Sequence, residues 1–266
     1  MTEITFSDPC IVFALRRESR YFRREFRPQQ PFPGAPCPAW FRGPTWLTVL
    51  VLECGVGAAA AERVGRWLLS GPVFGNVPYR PKLVLAAGFA GALTSGQHVG
   101  DLVLATEVVE PGGECWPTTW PGELPPEEWR TPLKRGRVLT NPELVGEPGQ
   151  KRRLGDWHQA LAVDMESAVL ARLCRQKQVP FGCVRAISDD RDTPLSPRLI
   201  ELLRHGRVAP WRLLGALVRQ PGLVPELWRL AGHTRTAARQ LGLGLGELLT
   251  LTLPWMEDAP PAPRDG

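Results

Sequence analysis

The chain has 266 residues, of which 43% are apolar and 22% charged, an ordinary balance for a globular protein. This length suits one large α/β core or two smaller ones. No apolar run reaches the roughly 20 residues that a helix needs to cross a bilayer. The first ten residues include Glu3 and Asp8 and lack the basic-then-apolar order of a secretory signal. We therefore expect a cytoplasmic protein without a membrane-spanning segment.

The six cysteines and four histidines show no pattern typical of a metal site. No two cysteines have the Cys-x-x-Cys spacing of a zinc knuckle, and no histidines pair at metal-ligand spacing. We expect reduced, mostly buried thiols and no bound metal.

The net charge is +5, and arginine far outnumbers lysine. A basic protein can bind nucleic acid, but no basic run is interleaved with aromatic residues in a recognised module. We therefore expect no nucleic-acid partner. Residues 198–239 hold eight arginines and two glutamates, so much of the positive charge lies in this segment.

Apolar periodicity predicts strands and helices in alternation. The predicted strands cover residues 10–15, 46–53, 82–87, 102–109, 137–140, 161–163 and 181–187. The predicted helices cover residues 16–26, 58–70 and 165–176. Proline-rich residues 27–45 and 111–132 are predicted to form loops, and residues 88–100 to form turns.

Alternating strands and helices are typical of an α/β protein, here a three-layer sandwich with a twisted, mainly parallel mixed sheet. We predict one catalytic domain over residues 1–197. Residues 198–257 are predicted to be a basic helical extension, with helices over 199–205, 211–218, 223–230 and 234–241. Residues 258–266 are predicted to be a disordered tail.

Two acidic residues, Glu166 and Asp189, lie near the ends of predicted strands and are 23 positions apart. The carboxyl ends of parallel strands meet at one crevice of an α/β sheet, so two distant acids can share one substrate. The sequence therefore predicts a ligand site at that edge of the sheet.

Five segments carry a family resemblance. They are residues 51–58 (VLECGVGA), 86–93 (AAGFAGAL), 99–103 (VGDLV), 163–167 (VDMES) and 185–192 (RAISDDRD). In this order they resemble the purine nucleoside phosphorylase and nucleosidase superfamily, in particular its methylthioadenosine/S-adenosylhomocysteine nucleosidase branch. The resemblance implies a twisted mixed sheet flanked by helices, and cleavage of the N-glycosidic bond of a purine nucleoside.

The resemblance implies that Met165 and Glu166 hold the ribose. An ionised Glu166 can accept hydrogen bonds from the 2′ and 3′ hydroxyls, and charge-assisted bonds of this kind are about twice as strong as neutral ones. Met165 would pack against the sugar, although filling the core is an equally good interpretation.

Asp189 is the predicted general acid that protonates the departing base. To donate near neutral pH, it would have to keep its proton through burial or a neighbouring carboxylate. Ser188 would orient its carboxyl group, and Asp190 and Asp192 are rival candidates.

The reaction class depends on the first strand and the loop after it. Hydrolases of the family carry an acid four residues after a small residue at the strand end, and Ala14 and Glu18 match this pattern. Glu18 could deprotonate water on the side of the sugar opposite the acid. Arg16 and Arg17 keep phosphorolysis open, because either could turn inward and hold phosphate. The co-substrate is therefore water or inorganic phosphate, and no cofactor is expected.

Gly55 and Gly57 could bring the backbone close to a ligand or phosphate, or could only form a tight turn. Asp164 is predicted to cap the helix that follows it.

The resemblance places Phe89, Ala90 and Gly91 against the sugar and base, and Leu144 and Val145 against the purine. Phe89, Leu144 and Val145 depart from the family's usual residues at these positions, which leaves base specificity open. The same departures keep a catalytically silent nucleoside-binding protein as an alternative.

The basic segment after residue 197 resembles the tail of hopanoid-associated phosphorylases. That resemblance implies an alternative substrate, an adenosine whose 5′ carbon bears a polycyclic lipid, and peripheral membrane contact through the C-terminal helices. The other interpretation is packing on the core or on the partner in a homodimer, the assembly that we expect from related enzymes.

Overall fold

The computed structural model describes residues 8–26, 29–42, 48–119, 132–194 and 223–258. Its strands are β1 (Cys10–Phe13), β2 (Gln29–Pro31), β3 (Ala39–Arg42), β4 (Val49–Glu53), β5 (Val73–Phe74), β6 (Val77–Pro78), β7 (Val84–Ala92), β8 (Leu102–Val109), β9 (Cys115–Pro117), β10 (Leu133–Thr140), β11 (Ala160–Asp164) and β12 (Phe181–Asp189). Its helices are α1 (Arg16–Ser19), α2 (Phe22–Glu25), α3 (Ala58–Leu69), α4 (Pro148–His158), α5 (Ser167–Gln176) and α6 (Leu223–Asp258).

Ten strands form one mixed sheet, in the order β11, β10, β8, β12, β7, β1, β4, β3 and β2, with β9 added to β8. The predicted α/β class is confirmed. The sheet is not mainly parallel, however, because five pairings between the described strands are parallel and five are antiparallel. Strand β9 and the hairpin of β2 and β3 supply several of the antiparallel pairings, and none of these three strands is predicted from the sequence.

Strand β11 joins two parts of this sheet. It is parallel to β10 and antiparallel to β7. Because β10, β8, β12 and β7 are also neighbours in that order, five strands form a closed circuit. The strands that lead to Glu166 and Asp189 both belong to this closed circuit.

Helices pack against both faces of the sheet. Helices α3 and α5 cover one face, where Val64 and Leu170 are among the buried residues. Helix α6 covers the other face, where Leu241 and Leu245 pack with Phe13 and other strand residues. The buried positions of α3, which include Val64 and Leu68, recur at helical spacing and explain why this segment forms an amphipathic helix.

The loop predicted over residues 27–45 is wrong in part, because its described residues include the hairpin of β2 and β3. Phe32 and Phe41 of this segment are buried, and their ring centroids lie 5.6 Å apart. Phe41 also packs against Phe74 at 4.8 Å. Burial of these rings draws the segment into the core, although its prolines are typical of a loop.

The turns predicted over residues 88–100 are also wrong in part, because β7 continues to Ala92. Two glycines inside this strand leave room for neighbouring side chains. A Cβ atom at Gly88 would lie 2.8 Å from Glu18 Oε1, and one at Gly91 would lie 2.9 Å from Asp189 Oδ2. These glycines therefore allow close approach of carboxylates to the strand rather than a turn.

Three helices differ from their predicted bounds. The helix predicted over 16–26 is divided into α1 and α2, and the one predicted over 165–176 begins at Ser167. Helix α4 is missing from the prediction because it buries only Lys151 and Gly155 and so lacks an apolar stripe. Pro148 at its first turn is the sequence signal that could have indicated it.

Helix α6 is continuous over 36 residues, where the sequence predicts separate helices over 223–230 and 234–241. Ala237, Leu241 and Leu245 of this helix share a core with the sheet, so part of the predicted extension packs on the predicted catalytic domain. The helices predicted over 199–205 and 211–218, and residues 259–266 of the predicted tail, lie outside the described residues. In the described part of the chain, no helix is both long and apolar enough to cross a membrane.

Candidate active site

The predicted lining segment of β7 lies between the segments that carry the predicted acids. Gly91 pairs with Val163 of β11 on one side and with Asp189 of β12 on the other. Phe89, two residues earlier, donates its backbone N–H to Glu18 Oε1 at 2.9 Å. Three consecutive residues of one strand therefore contact or adjoin each of the segments that hold Glu18, Glu166 and Asp189.

Asp189 lies at a β-bulge at the end of β12. Ile187 pairs with Ala90 and Asp189 with Gly91, which leaves Ser188 as the extra residue of the bulge. A bulge of this kind turns the following side chain out of the regular alternation. Ser188 Oγ donates to Asp189 Oδ1 at 2.8 Å and lies 3.3 Å from the Ala90 carbonyl oxygen. The predicted orienting contact of Ser188 is therefore present.

The other oxygen of Asp189 pairs with a lysine that sequence reasoning missed. Lys151 Nζ of α4 lies 2.5 Å from Asp189 Oδ2, and the lysine side chain is 0% exposed. The group that contacts this oxygen is therefore an ammonium, and the expectation that burial or a neighbouring carboxylate such as Asp190 keeps the proton on Asp189 stays a prediction.

The rival acids lie in different surroundings. Asp192 is exposed and pairs with Arg152 at 3.0 Å. Asp190 accepts a hydrogen bond from Lys151 Nζ through its backbone carbonyl at 2.8 Å. Of the three candidate acids, Asp189 is the one whose carboxylate contacts both the lysine and Ser188.

Glu166 is buried at the start of α5. Its Oε1 accepts a hydrogen bond from the backbone N–H of Gly57 at 2.7 Å. Burial, and then the nearby charge of Asp164, raise the pKa of Glu166 from 4.5 to about 7. With this pKa the Glu166 carboxyl group is only partly ionised at neutral pH, whereas the sequence-based prediction treats it as ionised.

Arg185 lies fully buried at the centre of the acidic groups. It forms an ion pair with Asp164 and donates to Ser167 Oγ at 2.7 Å. Asp164 also accepts a hydrogen bond from Thr140 Oγ1 at 2.7 Å. The predicted capping role of Asp164 is wrong, because it is Thr140 whose hydroxyl accepts the backbone N–H of Ala168 in the first turn of α5, at 3.0 Å.

Glu18 is buried although it belongs to the short helix α1. Its Oε2 accepts the backbone N–H of Leu15 at 2.7 Å, and its Oε1 accepts that of Phe89. Burial raises the pKa of Glu18, and the hydrogen bond from Phe89 and the charge of Arg185 partly oppose this shift. A carboxyl group with a raised pKa is a stronger base once ionised, as activation of water requires.

The candidate phosphate-binding groups are turned elsewhere. Arg16 and Arg17 are exposed, while the adjacent Glu18 is buried. The N–H of Gly55 donates to the carbonyl oxygen of Ala14 at 3.0 Å. The N–H of Gly57 donates to Glu166, as described above. Both glycine N–H groups of the predicted phosphate loop therefore donate to acceptors within the protein.

The remaining candidates for lining the site are all at least partly buried. Phe89 is partly buried and packs on the core beneath α6. Val145 is buried with Leu93 and Val163, near the pairing of β7 with β11, and Leu144 beside it is partly buried. Met165 is also partly buried. Their positions fit a site beside Gly91, though Val145 is already part of a small apolar cluster.

A family model described as the phosphorylase superfamily matches residues 45–217. The match covers more than half of the chain, so the chain belongs to the phosphorylase superfamily and is an enzyme. The family resemblance stated from the sequence is thereby confirmed.

Within that superfamily the chain is similar to nucleosidases. The 5′-methylthioadenosine/S-adenosylhomocysteine nucleosidase of Bacillus cytotoxicus is 27% identical over an alignment of 164 residues, and the match covers 53% of this chain and 68% of the relative. The nucleosidase of that name from Neisseria meningitidis, solved with methylthio-immucillin-A, has a TM-score of 0.66 and 15% identity over 92% of this chain and 99% of its own. Futalosine hydrolase of Helicobacter pylori has a TM-score of 0.64 and 17% identity over 92% of this chain and 97% of its own. The likeness to the two solved structures shows a shared fold.

Proposed function

We propose that the protein hydrolyses the N-glycosidic bond of a purine nucleoside, with adenine as the base and a modified 5′ position on the ribose. The observation that carries this proposal is the placement of residues 89–91 of β7, which contact Glu18 and Asp189 and pair with the strand that leads to Glu166. The nucleosidase relatives support the choice of bond and base.

Cleavage of this bond leaves positive charge on the sugar and negative charge on the base, and the enzyme must stabilise both. Glu166, when ionised, would accept hydrogen bonds from the ribose hydroxyls and place negative charge near the sugar. Asp189 would deliver a proton to the base nitrogen. General acid catalysis of this kind accelerates a reaction by about 10² to 10⁴.

Water is the proposed nucleophile, with Glu18 as the base that accepts its proton. The buried carboxylate of Glu18 would repel a phosphate dianion. The exposed Arg16 and Arg17, and the engaged N–H groups of Gly55 and Gly57, also support hydrolysis over phosphorolysis.

A lipid-bearing adenosine is a second candidate substrate. Its support is an exposed aromatic residue, Trp228, which is 77% exposed on the same helix as the exposed Arg229 and Arg235. Aromatic and basic side chains together are typical of helices that lie at a membrane surface.

The test is chromatography of products from a panel of nucleosides, with and without phosphate. We expect adenine release from 5′-modified adenosines that does not depend on phosphate, and a loss of about 10² to 10⁴ in Asp189→Asn. Glu166→Gln should also lose activity. Asp192→Asn is the control, because this exposed acid contacts arginines rather than the candidate site.

Release of ribose 1-phosphate only when phosphate is present would replace hydrolysis by phosphorolysis. Thermal stabilisation by nucleosides without any base release would favour the catalytically silent alternative. Full activity in both Asp189→Asn and Glu166→Gln would show that the acids are assigned wrongly.

A further inference from the structure

Lys151 is a fully enclosed cation on a helix that buries only one other residue, Gly155. Its side chain is 0% exposed, and its ammonium contacts Asp189 Oδ2 at 2.5 Å and the carbonyl oxygen of Asp190 at 2.8 Å. Burying a lysine is costly unless the charge is paired and hydrogen-bonded. A surface helix such as α4 could expose its lysine, as it exposes Arg152 and Arg153. Its inward direction therefore calls for an explanation other than the packing of α4.

Most of the charged groups around the Lys151–Asp189 ion pair have partners of their own. The other charged groups near it are Glu147, Arg152, Asp190, Arg191 and Asp192. Asp192 forms ion pairs with both arginines, with Arg152 at 3.0 Å and with Arg191 at 3.3 Å. Strand β11, against which α4 packs, carries Asp164, but that acid is paired with Arg185. Asp190 Oδ1 is buried without a hydrogen-bond partner among the described residues.

We infer that Lys151 is a positioning residue that holds the Asp189 carboxylate in place and stores the proton that Asp189 passes to the departing base. This inference rests on the proposed function and adds to it the source of the proton. Lys151 has no need to touch the nucleoside, because it acts through Asp189.

The proton can be followed atom by atom. As negative charge grows on the base, an Nζ–H bond of Lys151 breaks and an O–H bond forms on Asp189. The carboxyl group then gives a proton to the base nitrogen, and the pair is left as a neutral amine and a carboxylate. Water adds to the sugar carbon and leaves its proton on Glu18. Exchange of protons with solvent restores Lys151 and Glu18, so the net reaction is hydrolysis.

A lysine reservoir changes how the rate depends on pH. An isolated carboxylic acid of ordinary acidity ionises near pH 4 and an ammonium near pH 10, so the pair keeps a transferable proton to far higher pH than a carboxyl group alone. Without the lysine, the site is left with a carboxyl group alone, and the protonated fraction of a carboxyl group falls about tenfold for each pH unit above its pKa. The ratio of variant to wild-type kcat/KM removes the effects of Glu18 and Glu166, which are common to both proteins.

The test compares kcat/KM from pH 5 to pH 9 for the wild type, Lys151→Met, Lys151→Arg and Arg153→Met. We expect the ratio of Lys151→Met to wild type to fall by about 100-fold between pH 6 and pH 8, as the loss of the stored proton requires. Lys151→Arg keeps a cation that can hold Asp189 but cannot give up a proton, so its ratio to the wild type should fall with pH as steeply as that of Lys151→Met, from a higher starting value. Arg153→Met removes an exposed cation from the same helix and should match the wild type at every pH.

A loss in Lys151→Met that is the same at every pH would mean that Lys151 only packs the site, and the inference would be wrong while the proposed function stands. Should Lys151→Met not fold, the same comparison made with Lys151→Gln and Lys151→Arg decides the question. If the wild type releases no base from any nucleoside, the proposed function fails and this inference fails with it.

Discussion

Glu166 should make the folded chain less stable as the pH rises. Its pKa is about 7 in the folded protein, against 4.5 for an ordinary glutamate, so the folded chain binds more protons than the unfolded chain between these values. The free energy of unfolding therefore falls as the pH rises from about 4.5 to about 7. Glutamine keeps the acceptor for Gly57 and carries no charge. We expect Glu166→Gln to be more stable than the wild type above pH 7, by on the order of 1 to 3 kcal/mol.

Urea unfolding at pH 5 and pH 8 measures this difference, which should shrink toward the lower pH. Glu62→Gln is the control, because Glu62 is partly exposed and its hydrogen bond with Arg66 lowers its pKa. That variant should show no gain in stability at pH 8. A Glu166→Gln variant less stable than the wild type at pH 8 would contradict the assignment of a raised pKa.

Gly91 should be required for the position of Asp189. A Cβ atom at this residue would lie 2.9 Å from Asp189 Oδ2, so the carboxylate in Gly91→Ala must move. We expect base release to fall by about 10- to 100-fold, since small displacements of catalytic groups have effects of this size. In Gly112→Ala the new methyl group meets open space, and activity should be unchanged. Equal activities in the two variants would mean that Asp189 tolerates displacement.

The sequence allows Glu18, Glu166 and Asp189 to be chosen because each lies beside a strand end, in a segment with family-like residues. Lys151 could not be chosen in this way. It is 38 positions from Asp189, and its helix lacks the apolar stripe that would indicate which side faces the core. The burial of Arg185 among three acids is likewise a property of the tertiary fold, since the sequence shows only an arginine inside an apolar strand.

Helix α6 should depend on one glycine for its approach to the N-terminal helices. A Cβ atom at Gly242 would lie 2.8 Å from Tyr21 Cβ and 2.9 Å from the backbone nitrogen of Phe22. We expect Gly242→Ala to lower the free energy of unfolding by about 1 to 3 kcal/mol through overpacking. Gly232 lies on the same helix in open space, so Gly232→Ala should raise it by about 0.5 to 1 kcal/mol through helix propensity.

Urea denaturation of the two variants measures this contrast. Because the two changes in unfolding free energy should have opposite signs, they distinguish the close contact at Gly242 from the general preference of helices for alanine. A stabilised Gly242→Ala would mean that α6 does not pack as closely on α2 as described.

At the level of elements, helices and strands with a continuous apolar pattern are predicted well. Strand β8 has its predicted bounds, and α3 ends within one residue of its prediction. The prediction fails where proline or glycine lies inside an element, as in the hairpin of β2 and β3 and the second half of β7. Those residues normally mark turns. Aromatic packing around Phe32 and carboxylate packing against Gly91 override that local preference.

At the scale of the whole molecule, membrane contact can be tested through exposed tryptophans. Trp228 on α6 and Trp157 on α4 are 77% and 84% exposed. If α6 meets a membrane surface, the wild type should float with anionic vesicles and Trp228→Ser should float about tenfold less, because an aromatic side chain buried in the interface contributes to binding. Trp157→Ser should behave as the wild type. Absence of flotation for the wild type would exclude the lipid-surface alternative for this helix.

The closed circuit of β7, β12, β8, β10 and β11 has a mechanical consequence. Among the described strands, this circuit has no seam along which one half of the sheet could hinge away from the other without breaking backbone hydrogen bonds. Asp189 and the strand before Glu166 are therefore anchored to one rigid frame. We therefore expect these five strands to keep their relative positions when a ligand binds, and crystals grown with and without an inhibitor should superimpose closely on them.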